Sequence, residues 1–452
     1  MHGHTLPDAV YRIATQPVPG DSGLPLLGHS LSLIWNLDRR LQRQHQRYGE
    51  VSWISAFGRR LTLLLGADSN QFVLQQQARQ FSSRAWSLLL KPFFEPALLC
   101  MDAEEHRLHR EALRDAFRHD ALRDYLRLMA PRVDAALAGR DAQRAPRLLT
   151  QLKPLTLDLA CHALIGVEAR DDVAALSKAF LAARQALGHP LRLRLPCTRW
   201  QRGLDGRRQL DTYFRNCVGT RRQAGGADLL TRLCGARLAD GRSLTDAEVA
   251  DHLIFLLMAG HDTTSSLLAA TVFLLGQHLG WQQSLRDECR HVDAADAEQL
   301  MALPLLDLVF KEALRLSSPV PLLLREALSD CHYRGHDLPA GTLVALSPAF
   351  THRLPCYWEN PDRFDPHRFG AARREDRAHP FAYLPFGAGV HKCIGMGFGE
   401  SVAKLLLCKL LQGWRWTVPA DRALPSAYAP QYPSWWRVSL SLQRLQVRSG
   451  AA

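Results

Sequence analysis

Four groups of residues have types and spacings able to do chemistry. Cys393 lies late in a 452-residue chain, inside FGAGVHKCIG at residues 386–395. Gly387 and Gly389 permit a tight positive-φ backbone that other residues resist. Beyond them Leu405, Leu406, Leu410 and Leu411 form an apolar helical stripe, so Cys393 is expected at or just before a helix N-terminus. There, free amides and the positive end of the macrodipole favour thiolate over thiol. Such a thiolate is a good axial ligand for an iron porphyrin. Two plainer readings compete: a small buried hydrophobe, or a loop that cradles phosphate. A dinucleotide fingerprint fails, because Lys392 stands where its third glycine belongs.

The second group is MAGHDTTSS at residues 258–266. Thr245 opens a T-D-A-E box, with Glu248 as its partner, and predicts a helix over 246–279. Such a helix is about 50 Å long at 1.5 Å per residue. Gly260, Thr263 and Thr264 are poor residues for a helix interior, and Asp262 lies among apolar neighbours. A cluster that breaks local rules in a buried helix marks a functional site; threonines bonding back to carbonyls at a kink are the plain alternative. The third group is His106 and Arg110, four apart on a helix predicted over 102–117, with Asp102 as N-cap and Glu105 as capping-box partner. A solvated charged face is the plain reading there. The fourth is Glu312 and Arg315, an i, i+3 pair that is ordinarily a surface contact.

Around these groups the chain is mostly helical. Residues 17–28 and the rest of 1–35 read as irregular, and 36–48 as a polar helix. Residues 51–65 alternate and turn at Gly58, Arg59 and Arg60, which predicts a hairpin. Residues 68–80 read as helix. Residues 84–100 are apolar but broken by Pro92 and Pro96, a loop that must cover something. Residues 125–220 are helical with little chemistry, except 188–203, a basic and apolar segment that reads as a surface loop, a lid or a membrane-touching patch. Tyr428, Tyr432, Trp435 and Trp436, followed by alternation over 438–442, predict a terminal hairpin.

The composition, 47% hydrophobic and 22% charged, is that of a globular protein. Ten scattered cysteines fit a reduced, cytosolic-type compartment better than a disulfide scaffold. A net charge of +12 suits an acidic partner or an anionic surface. No compact basic run with interleaved aromatics points to nucleic acid. The longest apolar tract, residues 253–259, is too short for a transmembrane segment, so a soluble cytoplasmic protein is expected, at most with weak peripheral membrane contact.

Phe386, Gly389, His391, Cys393 and Gly395 match the F-x-x-G-x-H-x-C-x-G signature of the cytochrome P-450 family. Ala259, Gly260, Asp262 and Thr263 resemble its oxygen-binding groove. Glu312 and Arg315 match its E-x-x-R, and PDRFDPHRF at 361–369 its aromatic-proline-arginine stretch. The motifs span most of the chain, and the resemblance implies one large domain over 1–452, mainly α with small β-sheets, enclosing haem b with no fused reductase. It implies Cys393 as axial iron ligand, with Phe386 over the sulfur. His106, Arg110, Arg325 and His391 would reach the haem propionates, two cationic donors suiting two carboxylates. Asp262 and Thr263 would deliver protons. Glu312, Arg315 and Arg368 would form a structural charge network.

The expected function is a monooxygenase that inserts one atom of O2 into a lipophilic substrate, such as a fatty acid, terpenoid or steroid-like molecule. Phe93, Phe94, Leu98, Leu99, Ala259, Val320, Leu323 and Tyr432 are candidate pocket walls. Electrons would come from an external ferredoxin or flavodoxin-type donor, docking against Arg107, Arg114 and Lys392. Three rivals remain: a peroxide-driven peroxygenase of the same fold, a haem-binding protein without turnover, and a thiol enzyme using Cys393 and His391 without haem.

Overall fold

The computed structural model describes residues 16–138, 148–166, 170–187, 189, 192–425 and 440–445. Seven helices position the site: α1 Ala103–Arg114, α2 Leu148–Ile165, α3 Arg170–Ala186, α4 Arg199–Ala224, α5 Asp246–Gln277, α6 Pro304–Leu316 and α7 Met396–Gly413. The sheets are small. The largest has six strands, in the order β1 Gly20–Asp21, β2 Val51–Ala56, β3 Arg59–Leu64, β6 Leu343–Leu346, β5 Leu323–Ala327 and β4 Phe81–Ser82. The architecture is mainly α with small sheets, as expected.

Helix α5 is the axis of the molecule. Both halves of its predicted capping box form: Thr245 Oγ1 accepts from the Glu248 amide at 3.2 Å, and Glu248 accepts from the Thr245 amide at 2.7 Å. It is the one described helix long and apolar enough to cross a membrane. Here that apolarity is spent on packing. Leu253, Ile254, Leu268, Val272 and Phe273 are buried against α2, α4, α6 and α7 in the largest core. An all-round apolar helix belongs in such a place.

Local detail departs from the sequence reading in several places. The hairpin turns at Phe57 and Gly58, one residue early, because both take left-handed backbone, φ 53° and 72°. Within the segment read as irregular, residues Ser30–Trp35 are helical and Gly20–Asp21 pairs with β2. The 68–80 helix breaks into Ala67–Gln71, a π turn at Phe72–Gln76 and a 3-10 turn at Ala78–Gln80. Helix α4 starts inside the 188–203 segment, because Thr198 caps it by accepting from the Gln201 amide. Tyr428, Tyr432, Trp435 and Trp436 lie outside the described residues, but β8, Ser441–Arg444, does pair antiparallel with β7, Trp414–Thr417.

Buried histidines make this fold acid-sensitive. His352 is fully buried. Its Nε2 accepts from the Leu384 amide at 2.8 Å, so the ring is neutral and carries its proton on Nδ1, beside Ser318 Oγ. Burial, with Arg315 nearby, lowers its pKa to about 3. His252 on α5 is likewise buried and lowered to about 3. The unfolded rings take up protons near pH 6.5 and the folded ones do not. Stability therefore falls as pH drops from 6.5 toward 3, by about 2 kcal/mol per ring at pH 5. Urea unfolding at pH 7.5 and 5 measures this, and His352→Gln is expected to flatten the pH slope.

Candidate functional site

The cysteine loop is held by backbone before any cofactor is considered. The Cys393 amide donates to the Phe386 carbonyl at 2.9 Å, closing the loop. Gly387 and Gly389 have φ of 66° and 67°. A Cβ at Gly389 would sit 2.4 Å from the Leu74 carbonyl oxygen, so only glycine fits between this loop and the π turn. Helix α7 begins three residues after Cys393, with Gly395 at its N-cap position. Phe386 is half-buried against the main core.

The Cys393 thiol keeps an accessible surface although protein surrounds most of it. The expected bias toward thiolate is overturned for the chain alone. Burial raises the thiol pKa, and the Gly395 amide, Arg110 and Lys392 only partly offset it. Loop amides and two cations do not compensate for lost solvent; a metal ligated by the sulfur would deprotonate it outright.

A cradle of four donors, two of them cationic, surrounds the loop. Arg110 reaches from α1 and donates to the Lys392 carbonyl at 2.7 Å. The His106 and His391 rings lie 4.0 Å apart. Arg325 on β5 is buried, and its guanidinium donates to the Leu324 carbonyl at 2.8 Å. Burial, then Arg110, lowers the His106 pKa to about 4; burial, then His106, Arg325 and Arg110, lowers that of His391 to about 3. Burial lowers Arg325 to about 10. His106 Nε2 is buried without a hydrogen-bond partner. Against these four donors stands Asp102, 3.8 Å from His391 Nε2. So many crowded donors with an orphan nitrogen fit an anionic group carrying more than one carboxylate.

Asp102 itself corrects the sequence reading. It occupies the N-cap position of α1 but makes no cap bond, and the capping box with Glu105 is absent. Its carboxylate turns to the Ser83 amide at 2.9 Å and to the Ser82 hydroxyl. The chain spends this acid on anchoring β4 to the cradle.

On α5 the acid and the alcohol of the predicted pair have separate partners. Thr263 Oγ1 donates to the Ala259 carbonyl at 2.6 Å. Asp262 is ion-paired with Lys153 of α2 at 2.8 Å and with Arg184 of α3, and lies 3.3 Å from His261 Nδ1. Burial pushes the Asp262 carboxyl up, but His261, Arg184 and Lys153 outweigh it and hold it below the ordinary carboxylate range. His261 Nε2 donates to the Lys153 carbonyl at 2.9 Å. Lys153 and Arg184 lie in the stretch read as chemically quiet; a single cation on a helix carries no signal of a partner 78 or more residues away.

The structure brings Glu312, Arg315 and Arg368 together with no side-chain exposure. Glu312 accepts from Arg315 at 2.7 and 2.8 Å and from Arg368 Nε at 3.1 Å. Arg315 also donates to the carbonyls of His352, Pro361 and Arg363. Sequence reading missed Glu375, which takes the far side of Arg368 at 2.5 Å. Among the pocket candidates, Phe93 stacks edge-on against Trp200 and Phe94 against Phe180, both buried; Leu98 is buried, while Leu99, Ala259, Val320 and Leu323 are half-buried.

Comparison with known proteins places this geometry. The family model Cytochrome P450 matches residues 18–435. A cytochrome P450 136 of Mycobacterium tuberculosis is 38% identical over 411 residues, 88% of this chain and 83% of that one. An obtusifoliol 14-alpha demethylase of Triticum aestivum is 29% identical over 423 residues, 88% of this chain and 92% of that one. The solved structure of retinoic acid-bound cyanobacterial CYP120A1 superposes with a TM-score of 0.85 at 30% identity, covering 95% of this chain and all of that one.

Proposed function

Because this chain belongs to the cytochrome P450 family, we propose that it inserts one atom of O2 into a lipophilic organic molecule, as one haem-thiolate domain acting in the cytoplasm. It is a haem-dependent monooxygenase, with haem b as its cofactor. Haem, when bound, supplies the oxygen-activating chemistry, which a thiolate ligand biases toward O–O cleavage. The observation that carries the reading is the closed Cys393 loop beside a cradle of four donors faced, among the described residues, by the single acid Asp102. Cys393 would be the ligand, with Phe386 shielding its sulfur. His106, Arg110, Arg325 and His391 would hold the two propionates.

Thr263 and Asp262 would handle protons. The Thr263 hydroxyl proton rests on the Ala259 carbonyl, which holds its oxygen in place within the groove. While Lys153 and Arg184 both hold Asp262, its carboxylate binds protons weakly; loosening either contact raises its proton affinity. Thr263→Ala is expected to keep haem and substrate binding and to divert most reducing equivalents to peroxide. Product and peroxide formed per electron donor consumed are the quantities to measure, and unchanged coupling would remove Thr263 from proton delivery.

Two relatives support a lipophilic substrate: the structure with 30% identity has retinoic acid bound, and one relative is an obtusifoliol demethylase. The half-buried Leu99, Ala259, Val320 and Leu323 would give such a substrate apolar walls. We place the docking site of an external ferredoxin or flavodoxin-type donor at the exposed Arg114 and Lys392, next to the cysteine loop. Arg107, the third residue of that face, is offset by Glu104 and Glu111 at 2.5 and 3.1 Å and adds little field. Arg114→Glu is expected to slow the first electron transfer from an acidic ferredoxin several-fold at low salt, with the gap closing at high salt. Equal rates at low salt would move the docking site elsewhere.

A further inference from the structure

Two turn tips of this protein carry the wrong residues for folding. Leu26 and Phe57 both have left-handed backbone, φ 62° and 53°. That conformation favours glycine or asparagine, and bulky residues are uncommon in it. Both side chains are nevertheless exposed, Leu26 completely and Phe57 by 61%. Neither is repaid by packing.

The two tips are neighbours. Gly28 bridges to Ala56, the His29 amide donates to the Ser55 carbonyl at 2.6 Å, and the Phe57 amide donates to Ser30 Oγ at 2.7 Å. Leu24 and Leu27 flank the first tip, and Trp35 ends the short helix that leaves it; all three are at least half exposed. Past the second tip, Arg59 and Arg60 line a cavity of about 370 Å3 whose other wall holds Arg84 and Leu88. Leu88 and Leu89 are exposed as well. Of the thirteen large apolar side chains exposed among the described residues, seven lie on the segments that meet at these tips and at the cavity beside them. A scatter of single exposed residues needs no explanation, but a concentration does.

Charge says what covers it. Residues 22–36, 51–66 and 84–94 contain no Asp or Glu, while Arg59, Arg60, Arg84 and Lys91 stand among the apolar groups. Glu326 is the one acid lining the cavity, and Arg84 is shared with Glu105 and Asp102, which leaves Arg59, Arg60 and Lys91 as the main cations of this face. Protruding apolar tips ringed by cations match a bilayer whose headgroups are anionic: the tips enter the acyl boundary while the guanidinium groups stay with phosphate. We propose that this face docks the protein reversibly on an anionic phospholipid surface. The proposal does not depend on the haem chemistry.

The test is flotation of the purified holoprotein with vesicles of phosphatidylcholine alone or mixed with phosphatidylglycerol. Binding is expected on the mixed vesicles and to weaken by about tenfold on neutral ones or in high salt. Leu26→Asn with Phe57→Asn puts a residue at home in left-handed backbone at each tip, so the fold and the carbon monoxide spectrum are expected to survive. This pair is expected to lower vesicle binding by about tenfold or more. Arg59→Gln with Arg60→Gln is expected to erase the preference for anionic lipid. Wild type that stays off all vesicles, or a tip variant that floats equally well, overturns the proposal. Dimerisation lost in the tip variant without any flotation overturns it too, and gives the surface to a second copy of the chain.

Discussion

Cys393→Ser is expected to yield folded protein whose thiolate-type carbon monoxide spectrum is gone and whose monooxygenase turnover has fallen to background. Serine is nearly isosteric, and the loop does not depend on the sulfur. The backbone bond from residue 393 to the Phe386 carbonyl, the left-handed Gly387 and Gly389, and the close approach to Leu74 all remain. An alkoxide does not replace a thiolate as electron donor to iron, because the serine hydroxyl is far harder to deprotonate. Far-ultraviolet circular dichroism checks the fold, and the reduced carbon monoxide difference spectrum checks the ligand. Nine other cysteines are free, and Cys197 and Cys356 are exposed. A retained spectrum would assign the ligand to one of those.

The second large effect is expected in stability. Among the described residues Glu312 is the one carboxylate paired with both Arg315 and Arg368, with no exposure on any of the three. Glu312→Gln keeps the shape and removes the charge, leaving two buried guanidinium groups facing each other across an amide. Removing one partner of a buried ion pair costs about 3–5 kcal/mol. Glu375 on the far side of Arg368 places the loss toward the lower end. Urea midpoints measure it, and Arg107→Gln, which removes two exposed ion pairs on α1, is the control expected to change little. If both variants unfold at the same midpoint, the network contributes no more than a surface pair. Retained haem in partly destabilised Glu312→Gln would separate scaffold from ligation.

The fold class, the α5 cap and the cysteine loop were legible in the sequence, because each is dictated over a short span. Thr245 and Glu248 are three residues apart, and the capping box needs nothing else. The glycines of the Cys393 loop act on their own φ angles. Helix α1 was legible in extent but not in its cap: Asp102 had a local use and a distant one, and Ser82 and Ser83 won it.

What the residues settle by themselves is their chemistry: which side chain can ligate iron, which can carry charge, which turn demands glycine. Whom each charge meets is a matter of tertiary structure. Asp262 looked like the neighbour of Thr263, yet α2 and α3 bring Lys153 and Arg184 to it across 109 and 78 residues. By spacing alone Glu312 and Arg315 are an ordinary surface pair; the buried network that the resemblance implied needs Arg368, 56 residues from Glu312, to close over them without solvent. The loop by itself favours a Cys393 thiolate, whereas in the chain alone the protein packed around the sulfur pushes its thiol pKa up. Coulomb and desolvation energies depend on distance through space and on exclusion of water, and a linear sequence records neither.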